Sequence, residues 1–455
     1  MKRVSTHPTS SQSVPPPPDE PSAPAGAAAP PASAASPGRW QRLRRLALAD
    51  LSPLRDHPDY RRVWTGQVVS AVGQQMTAVA VSVQVYRLTE STFATGLVGL
   101  FSLVPLIVLG LFGGAIADTV DRRLLGLLGA AGLAATSAVL AVQALLDLRS
   151  VPLLYAMVAV QAGFFALSSP ARSAMIPRLV PAHQLPAANA LGSMSMNLGT
   201  TVGPMIGGLL IGASGVQSAY LIDTLAFSGI LYAMWRLPAM LPGDGTADTT
   251  RKRASVLDGL RFLRSRPNLR TSFVADLIAM LLASPRALFP AVALTVYHGG
   301  PGTVGLLMSA PAVGALAGAL FSGWITRVHR HGAAIVAGVA AWGLAIAVFG
   351  LSNHLWLGLL ALGVAGAADS VSMIFRNTIL QVGAPDDMRG RLQGVFIVVV
   401  AGGPRLGDFF AGTTASLTST TTALLIGGLA CVAAILLLAA RRPAFLRYDA
   451  RHPTP

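Results

Sequence analysis

Four carboxylates stand inside otherwise apolar stretches of this chain: Asp223, Asp276, Asp369 and Asp408. Two arginines, Arg286 and Arg405, do the same. A charge in so apolar a setting is costly, so it either pairs with another charge or marks a pathway. Desolvation favours the protonated form of a carboxylate, which equips such a group to take up and release a proton. The four acids are therefore the candidates for proton coupling, with Asp223 and Asp276 best placed. Arg405 and Asp408 lie three residues apart, on one face if the segment is helical, and can neutralise each other. A second polar set comprises Gln67, Ser70, Gln74, Thr77 and Gln84, which recur at helical spacing on an otherwise apolar segment. Polar stripes of this kind either bind helices together or line a water-filled path.

The elements that must position these groups are apolar runs. Of the 455 residues, 53% are hydrophobic and 12% charged, against about 25% charged in a typical soluble domain. Twelve runs can be drawn, at 63–86, 95–117, 124–146, 151–170, 189–212, 218–237, 271–296, 303–325, 333–352, 355–375, 393–415 and 421–440. Most approach the roughly 20 residues that a bilayer core requires of a helix. The reading is an all-α membrane protein with twelve transmembrane helices.

The net charge of +15 is a topology signal, and no nucleic-acid partner is expected. If the amino terminus is cytoplasmic, 30 of the 34 Lys and Arg residues fall in cytoplasmic segments, and only Arg87 and Arg149 fall on the opposite side. That bias places both termini in the cytoplasm. Residues 1–38, rich in Pro, Ser and Ala and including the run Pro15 to Pro18, lack the apolar region of a signal peptide and read as disordered. The single cysteine, Cys431, excludes a disulfide framework and a cysteine metal cluster.

An internal repeat divides the chain. At a displacement of 209 residues, Leu54-Arg55-Asp56-His57-Pro58-Asp59-Tyr60-Arg61 aligns with Leu263-Arg264-Ser265-Arg266-Pro267-Asn268-Leu269-Arg270, with four identities in eight. Leu111-Phe112-Gly113-Gly114 aligns with Leu320-Phe321-Ser322-Gly323 at the same displacement. Gly203-Pro204-x-x-Gly207 matches Gly403-Pro404-x-x-Gly407 after the offset has shrunk. The expected organisation is a Pro/Ala/Ser-rich tail (1–50), a six-helix bundle (51–238), a basic cytoplasmic linker (239–270), a second six-helix bundle (271–440) and a short tail (441–455). Parallel repeats of this kind put a binding site near the midplane, between the halves. The displacement sets Gln67 opposite Asp276 and Thr77 opposite Arg286. A cavity lined by Gln67, Ser70, Gln74, Thr77, Asp276 and Arg286 is the expectation.

Two motifs give the family resemblance. After the second run the sequence reads Gly113-Gly114-Ala115-Ile116-Ala117-Asp118-Thr119-Val120-Asp121-Arg122-Arg123. Gly114, Asp118, Arg122 and Arg123 resemble the signature loop of the major facilitator superfamily, with Thr119 and Asp121 in place of its usual basic residue and glycine. The resemblance implies that Asp118 docks at the start of the eleventh helix and holds one access state, a role suited to an acid at a helix amino terminus. In the second copy Arg327 replaces the acid. The fifth run contains Gly199, Gly203, Pro204, Gly207 and Gly208 in the order of the G-x-x-x-G-P-x-x-G-G motif of the superfamily's exporter branches, with Pro204 expected to bend the helix.

Within the superfamily the chain looks similar to bacterial siderophore exporters and macrolide efflux proteins. Further stretches carrying that likeness are Gly259-Leu260-Arg261-Phe262-Leu263 and Arg389-Gly390-Arg391-Leu392-Gln393-Gly394. The resemblance implies a monomeric secondary exporter in a bacterial inner membrane. It would move a siderophore-like or hydrophobic small molecule outward by alternating access, in exchange for protons and without a cofactor. The alternatives are a multidrug or macrolide efflux pump and an uptake porter. Many proton-driven drug exporters of the superfamily carry an arginine early in the fourth helix; Tyr155 to Gln161 contains none. A phosphate loop is absent, since neither Lys2 nor Lys252 follows a glycine, and no H-E-x-x-H or G-x-S-x-G occurs. The sequence therefore argues against an ATP-driven pump and against an enzyme.

Overall fold

The computed structural model describes residues 50–117, 120–240, 256–383 and 389–449. The Pro-rich tail, residues 241–255 of the linker and Asp118 with Thr119 lie outside the described residues. Among those described, every regular element is helical: α1 (Pro58–Thr89), α2 (Thr92–Ala117), α3 (Arg122–Leu145), α4 (Val151–Leu179), α5 (Leu185–Ser214), α6 (Val216–Trp235), α7 (Val256–Ser265), α8 (Pro267–Leu282), α9 (Phe289–Thr295), α10 (Pro301–Leu320), α11 (His331–Leu351), α12 (Leu355–Gly383), α13 (Arg389–Leu417) and α14 (Thr420–Arg441). Ten spans, one of them made of α8 and α9 together, are long and apolar enough to cross a membrane. Helices α6 and α13, which carry Asp223 and the Arg405–Asp408 pair, are not among the ten. Large apolar side chains such as Leu225, Trp235, Leu320 and Phe321 face outward. In water such a surface would be a liability, whereas lipid accepts it.

Helix ends follow local chemistry. Asp121 caps α3, accepting from the Arg123 backbone N–H at 2.9 Å, and Ser419 caps α14 through the Thr422 N–H at 3.1 Å. Such caps satisfy donors left free by the first helical turn. Pro58, Pro267 and Pro301 each open a helix at its first position, where a missing N–H costs nothing.

Packing repeats between the two parts of the chain. Helix α1 lies against α5 and α6, α2 against α4, and α3 against α4 and α6. Correspondingly, α8 lies against α13 and α14, α10 against α12, and α11 against α12 and α14. Two seams join the parts, α2 with α13 and α5 with α10. Small residues set their closeness: Gly96 and Gly99 lie against the backbone of Arg405, Asp408 and Gly412, and Gly208 against Pro301, Gly302 and Gly305. The Thr92 hydroxyl donates to the Gly412 carbonyl across the first seam at 3.1 Å.

The run at 271–296 is not one continuous helix. Helix α8 ends at Leu282, a single turn of tighter helix spans Arg286–Leu288, and α9 begins at Phe289. Pro285 sits at the interruption and has no N–H to continue the ladder. The freed groups are satisfied from neighbouring helices. Trp342 Nε1 donates to the Ala283 carbonyl at 3.1 Å, and Asp408 Oδ1 accepts from the Ala287 N–H at 3.3 Å and the Ser284 hydroxyl at 2.7 Å. Broken helices at membrane depth persist only where protein or a cavity supplies such partners.

Candidate functional site: a cavity between the repeats

A cavity of about 430 Å³ lies between the two parts of the chain, within the range of small-molecule sites. Helix α1 contributes Gln74 and Thr77 to its wall, α4 contributes Gln161 and Phe165, the break after α8 contributes Arg286, and α13 contributes Arg405 and Asp408. The lining is mixed, with Leu133, Val158 and Met308 adding apolar surface.

The expected cavity residues separate into two groups. Gln74, Thr77 and Arg286 line it. Gln67 and Ser70 do not; Ser70 is buried and its hydroxyl turns back to the Gln67 carbonyl at 3.2 Å. Of the two pairs related by the repeat, Thr77 and Arg286 share the cavity, whereas Gln67 and Asp276 lie away from it. Gln84 serves as glue, accepting from Tyr220 at 2.8 Å and Gln143 at 3.0 Å to join α1, α6 and α3.

The four acids occupy three settings. Asp223 is completely buried, and its Oδ2 accepts from the hydroxyls of Thr77 and Ser137, each at 2.7 Å. Gln161 Nε2 donates to the Ser137 hydroxyl at 3.1 Å. Because Thr77 and Gln161 also face the cavity, two hydrogen-bonded routes lead from its wall to this carboxylate. Asp223 Oδ1 is buried without a hydrogen-bond partner.

Asp276 and Asp369 belong to a second setting. Both pair with Arg376, which is 4% exposed; the Asp369 contact is 3.1 Å. Sequence reading ends the tenth run at 375 and counts Arg376 among the cytoplasmic cations. In the structure α12 continues to Gly383, and Arg376 turns inward to these two acids. An i, i+7 spacing from Asp369 on one helix was the available signal.

The third setting is the cavity itself. Arg405 and Asp408 do not spend their hydrogen bonds on each other. Arg405 Nε donates to Ser102 on α2 at 3.0 Å and its Nη1 to the Ala401 carbonyl, while Asp408 holds the break after α8.

The motif residues have distinct places. Arg123 donates to the carbonyls of Met234 at 3.1 Å and Trp235 at 2.6 Å, which close α6, and Arg122 reaches the Ala174 carbonyl on α4 at 3.4 Å. Cations at the carboxyl end of a helix meet its negative pole. Gly114 lies within α2, and Asp118 lies outside the described residues. Asp121, read from the sequence only as a departure from the motif, ties α3 to the Met240 N–H at 3.1 Å as well as capping its own helix. Its place directly before an Arg-Arg-Leu-Leu helix start was a legible cap signal. In α5, Gly199, Gly203 and Gly207 press against Ala71, Val72, Gln75 and Met76 of α1, whereas Gly208 presses against α10. Pro204 is buried, and its carbonyl approaches Gly305 of α10.

Comparison with known proteins agrees with this architecture. A family model described as transmembrane secretion effector matches residues 48–451. The enterobactin exporter EntS of Citrobacter koseri is 30% identical over 361 residues, which are 79% of this chain and 86% of that protein. The enterobactin exporter EntS of Escherichia coli O81 is 31% identical over the same shares. Among solved structures, a POT family transporter in complex with 5-aminolevulinic acid superposes with a TM-score of 0.69 at 13% identity, covering 86% of this chain and 97% of that one. A bacterial homologue of the human lysosomal transporter Spinster gives 0.64 at 16% identity, covering 87% and 97%.

Proposed function

Because the chain belongs to the transmembrane secretion effector family of the major facilitator superfamily, we propose that it is a secondary active exporter that carries a siderophore-like small molecule out of the cell. Twelve spans would form its two six-helix bundles, with α8 and α9 together as the seventh, α6 as the sixth and α13 as the eleventh. The observation that carries the proposal is the cavity between the repeats, whose wall draws on α1, α4, the α8 break and α13 alike. A site built from both halves changes its exposure when the halves rock, which is the physical content of alternating access. The two glycine-lined seams supply surfaces on which such rocking can occur.

Proton antiport would supply the driving force, with Asp223 as the preferred carrier. Among the described residues it has no cationic partner within ion-pair distance, and the hydrogen-bonded routes through Thr77 and through Gln161 and Ser137 link it to the cavity. Asp276 and Asp369 are already committed to Arg376, and Asp408 to the helix break. The excess of Lys and Arg on one side supports cytoplasmic termini, and the chain would act as a monomer in the inner membrane. Apolar lining by Val158, Phe165 and Met308 supports a second reading, efflux of a macrolide or another hydrophobic drug.

Everted membrane vesicles containing the full chain separate these readings. With an imposed proton gradient, radiolabelled iron-free enterobactin should accumulate inside the vesicles, and a protonophore should abolish the accumulation. Accumulation of erythromycin without enterobactin would favour the second reading, and accumulation of neither would sink both.

A further inference from the structure

Among the described residues, the lining of the cavity carries an excess of positive charge. Its wall carries two guanidinium groups, Arg286 and Arg405, against one carboxylate, Asp408. Asp408 directs Oδ1 to the Ser284 hydroxyl and the Ala287 N–H, so that its hydrogen bonding goes to holding the helix break. Arg405 is anchored through Nε to Ser102 and through Nη1 to Ala401. Arg286 makes no hydrogen bond or ion pair among the described residues, and its side chain is exposed in the cavity. An unmatched charge at membrane depth is expensive to keep, and a guanidinium presents a fork of donors suited to planar oxyanions.

The local fold places these two groups deliberately. Pro285 interrupts the helix one residue before Arg286, and Asp408, three residues beyond Arg405 on α13, caps that interruption. One carboxylate thereby fixes the backbone that presents one arginine and shares a helix with the other. On the opposite wall Gln74 and Gln161 bring amide groups. An anion entering this space would meet donors from both halves of the molecule, while Phe165 and Met308 offer apolar surface to a ring.

We propose that the transported molecule is an organic anion, an aromatic carboxylate or similarly acidic aromatic group, held between Arg286 and Arg405. This rests on the reading of the cavity as the transport site, and it narrows the substrate class to acids. Neutral or cationic drugs would lack a partner for the excess charge.

The test uses the purified full-length protein in neutral detergent and three probes: salicylate, its neutral isostere salicylamide, and tetraphenylphosphonium. A ligand that binds only the folded state raises the unfolding temperature with its concentration. Salicylate should give a saturable rise, with salicylamide and tetraphenylphosphonium giving little. Arg286→Gln should raise the half-saturating salicylate concentration roughly tenfold or more, in keeping with loss of a charge-assisted hydrogen bond. Arg286→Lys should retain part of the effect. Because Arg286 makes no hydrogen bond or ion pair among the described residues, its glutamine variant should fold normally; Arg405→Gln serves as the second probe. Equal stabilisation by salicylamide, a larger one by tetraphenylphosphonium, no response to salicylate, or an unchanged response in Arg286→Gln would overturn the proposal. So would loss of the salicylate effect when phosphatidylglycerol is added, which would assign the site to a lipid headgroup. Anion binding without outward transport in everted vesicles would leave this inference standing and overturn the exporter reading alone.

Discussion

At the scale of single residues, Asp223 bears the most specific expectation. Its two hydroxyl partners need an acceptor, and an amide oxygen can replace the carboxylate in that role. Asp223→Asn should therefore fold with a near-native unfolding temperature, exchange substrate across the membrane, and lose at least tenfold in gradient-driven accumulation. Full gradient-driven transport by this variant would remove Asp223 from the coupling path. Asp223→Ala should behave differently, because it strands the Thr77 and Ser137 hydroxyls; stability should fall by about 1–3 kcal/mol, measurable as an earlier thermal transition in detergent. Asp118→Asn, outside the described residues, should impair transport while leaving membrane insertion intact, and near-normal efflux would refute a gating role for the acid. The sequence made these acids visible as candidates but could not sort them. For Asp223 and Asp408 the deciding partners lie more than 100 residues away, as Thr77 does from Asp223 and Ser284 from Asp408.

At the scale of elements, apolar runs and their ends were readable wherever a single physical rule decided them. Length and composition located the helices, and a proline or a capping acid located several starts. The break after α8 was less readable, since Pro285 lies in a run that stays apolar on both sides and membrane helices often carry proline without breaking. What decides the outcome is the presence of Trp342 and Asp408 to satisfy the freed backbone. Arg376 was missed for a related reason: charge alone suggests the membrane surface, whereas two acids on α8 and α12 draw it inward. This cluster should be stringently structural. Arg376→Gln leaves the buried Asp276 and the half-buried Asp369 uncompensated and should cost about 3–5 kcal/mol, seen as a large drop in thermal stability. Adding Asp276→Asn to that variant should restore part of the loss. A simple sum of two destabilisations would argue that the pair does not act as a unit.

At the scale of the whole molecule, the repeat anticipated more than any local pattern did. It predicted equivalent polar faces on two helices, and Thr77 and Arg286 do face one cavity. It could not predict that Asp276, one turn-set away from Arg286 on the same segment, would face Arg376 instead, because repeats preserve backbone position more strictly than side-chain partners. The same pseudo-symmetry makes the two seams a matched pair, α2 on α13 and α5 on α10, each held by glycines that let backbones meet. If transport requires these seams to part, a covalent lock across one of them should stop it. Phe93 and Phe409 are suited to the lock, since their rings meet across the first seam with centroids 6.0 Å apart, whereas a side chain at Gly412 would run into the backbone of Thr92 and Gly96. The natural Cys431 is completely buried on α14 and should not compete for pairing. The double variant Phe93→Cys, Phe409→Cys should lose transport on mild oxidation and recover it with dithiothreitol, while either single variant should be insensitive to both reagents. A fully cross-linked double variant that still transports would mean that the halves do not separate along this seam, and would require a different route between the cavity and the membrane face beside it.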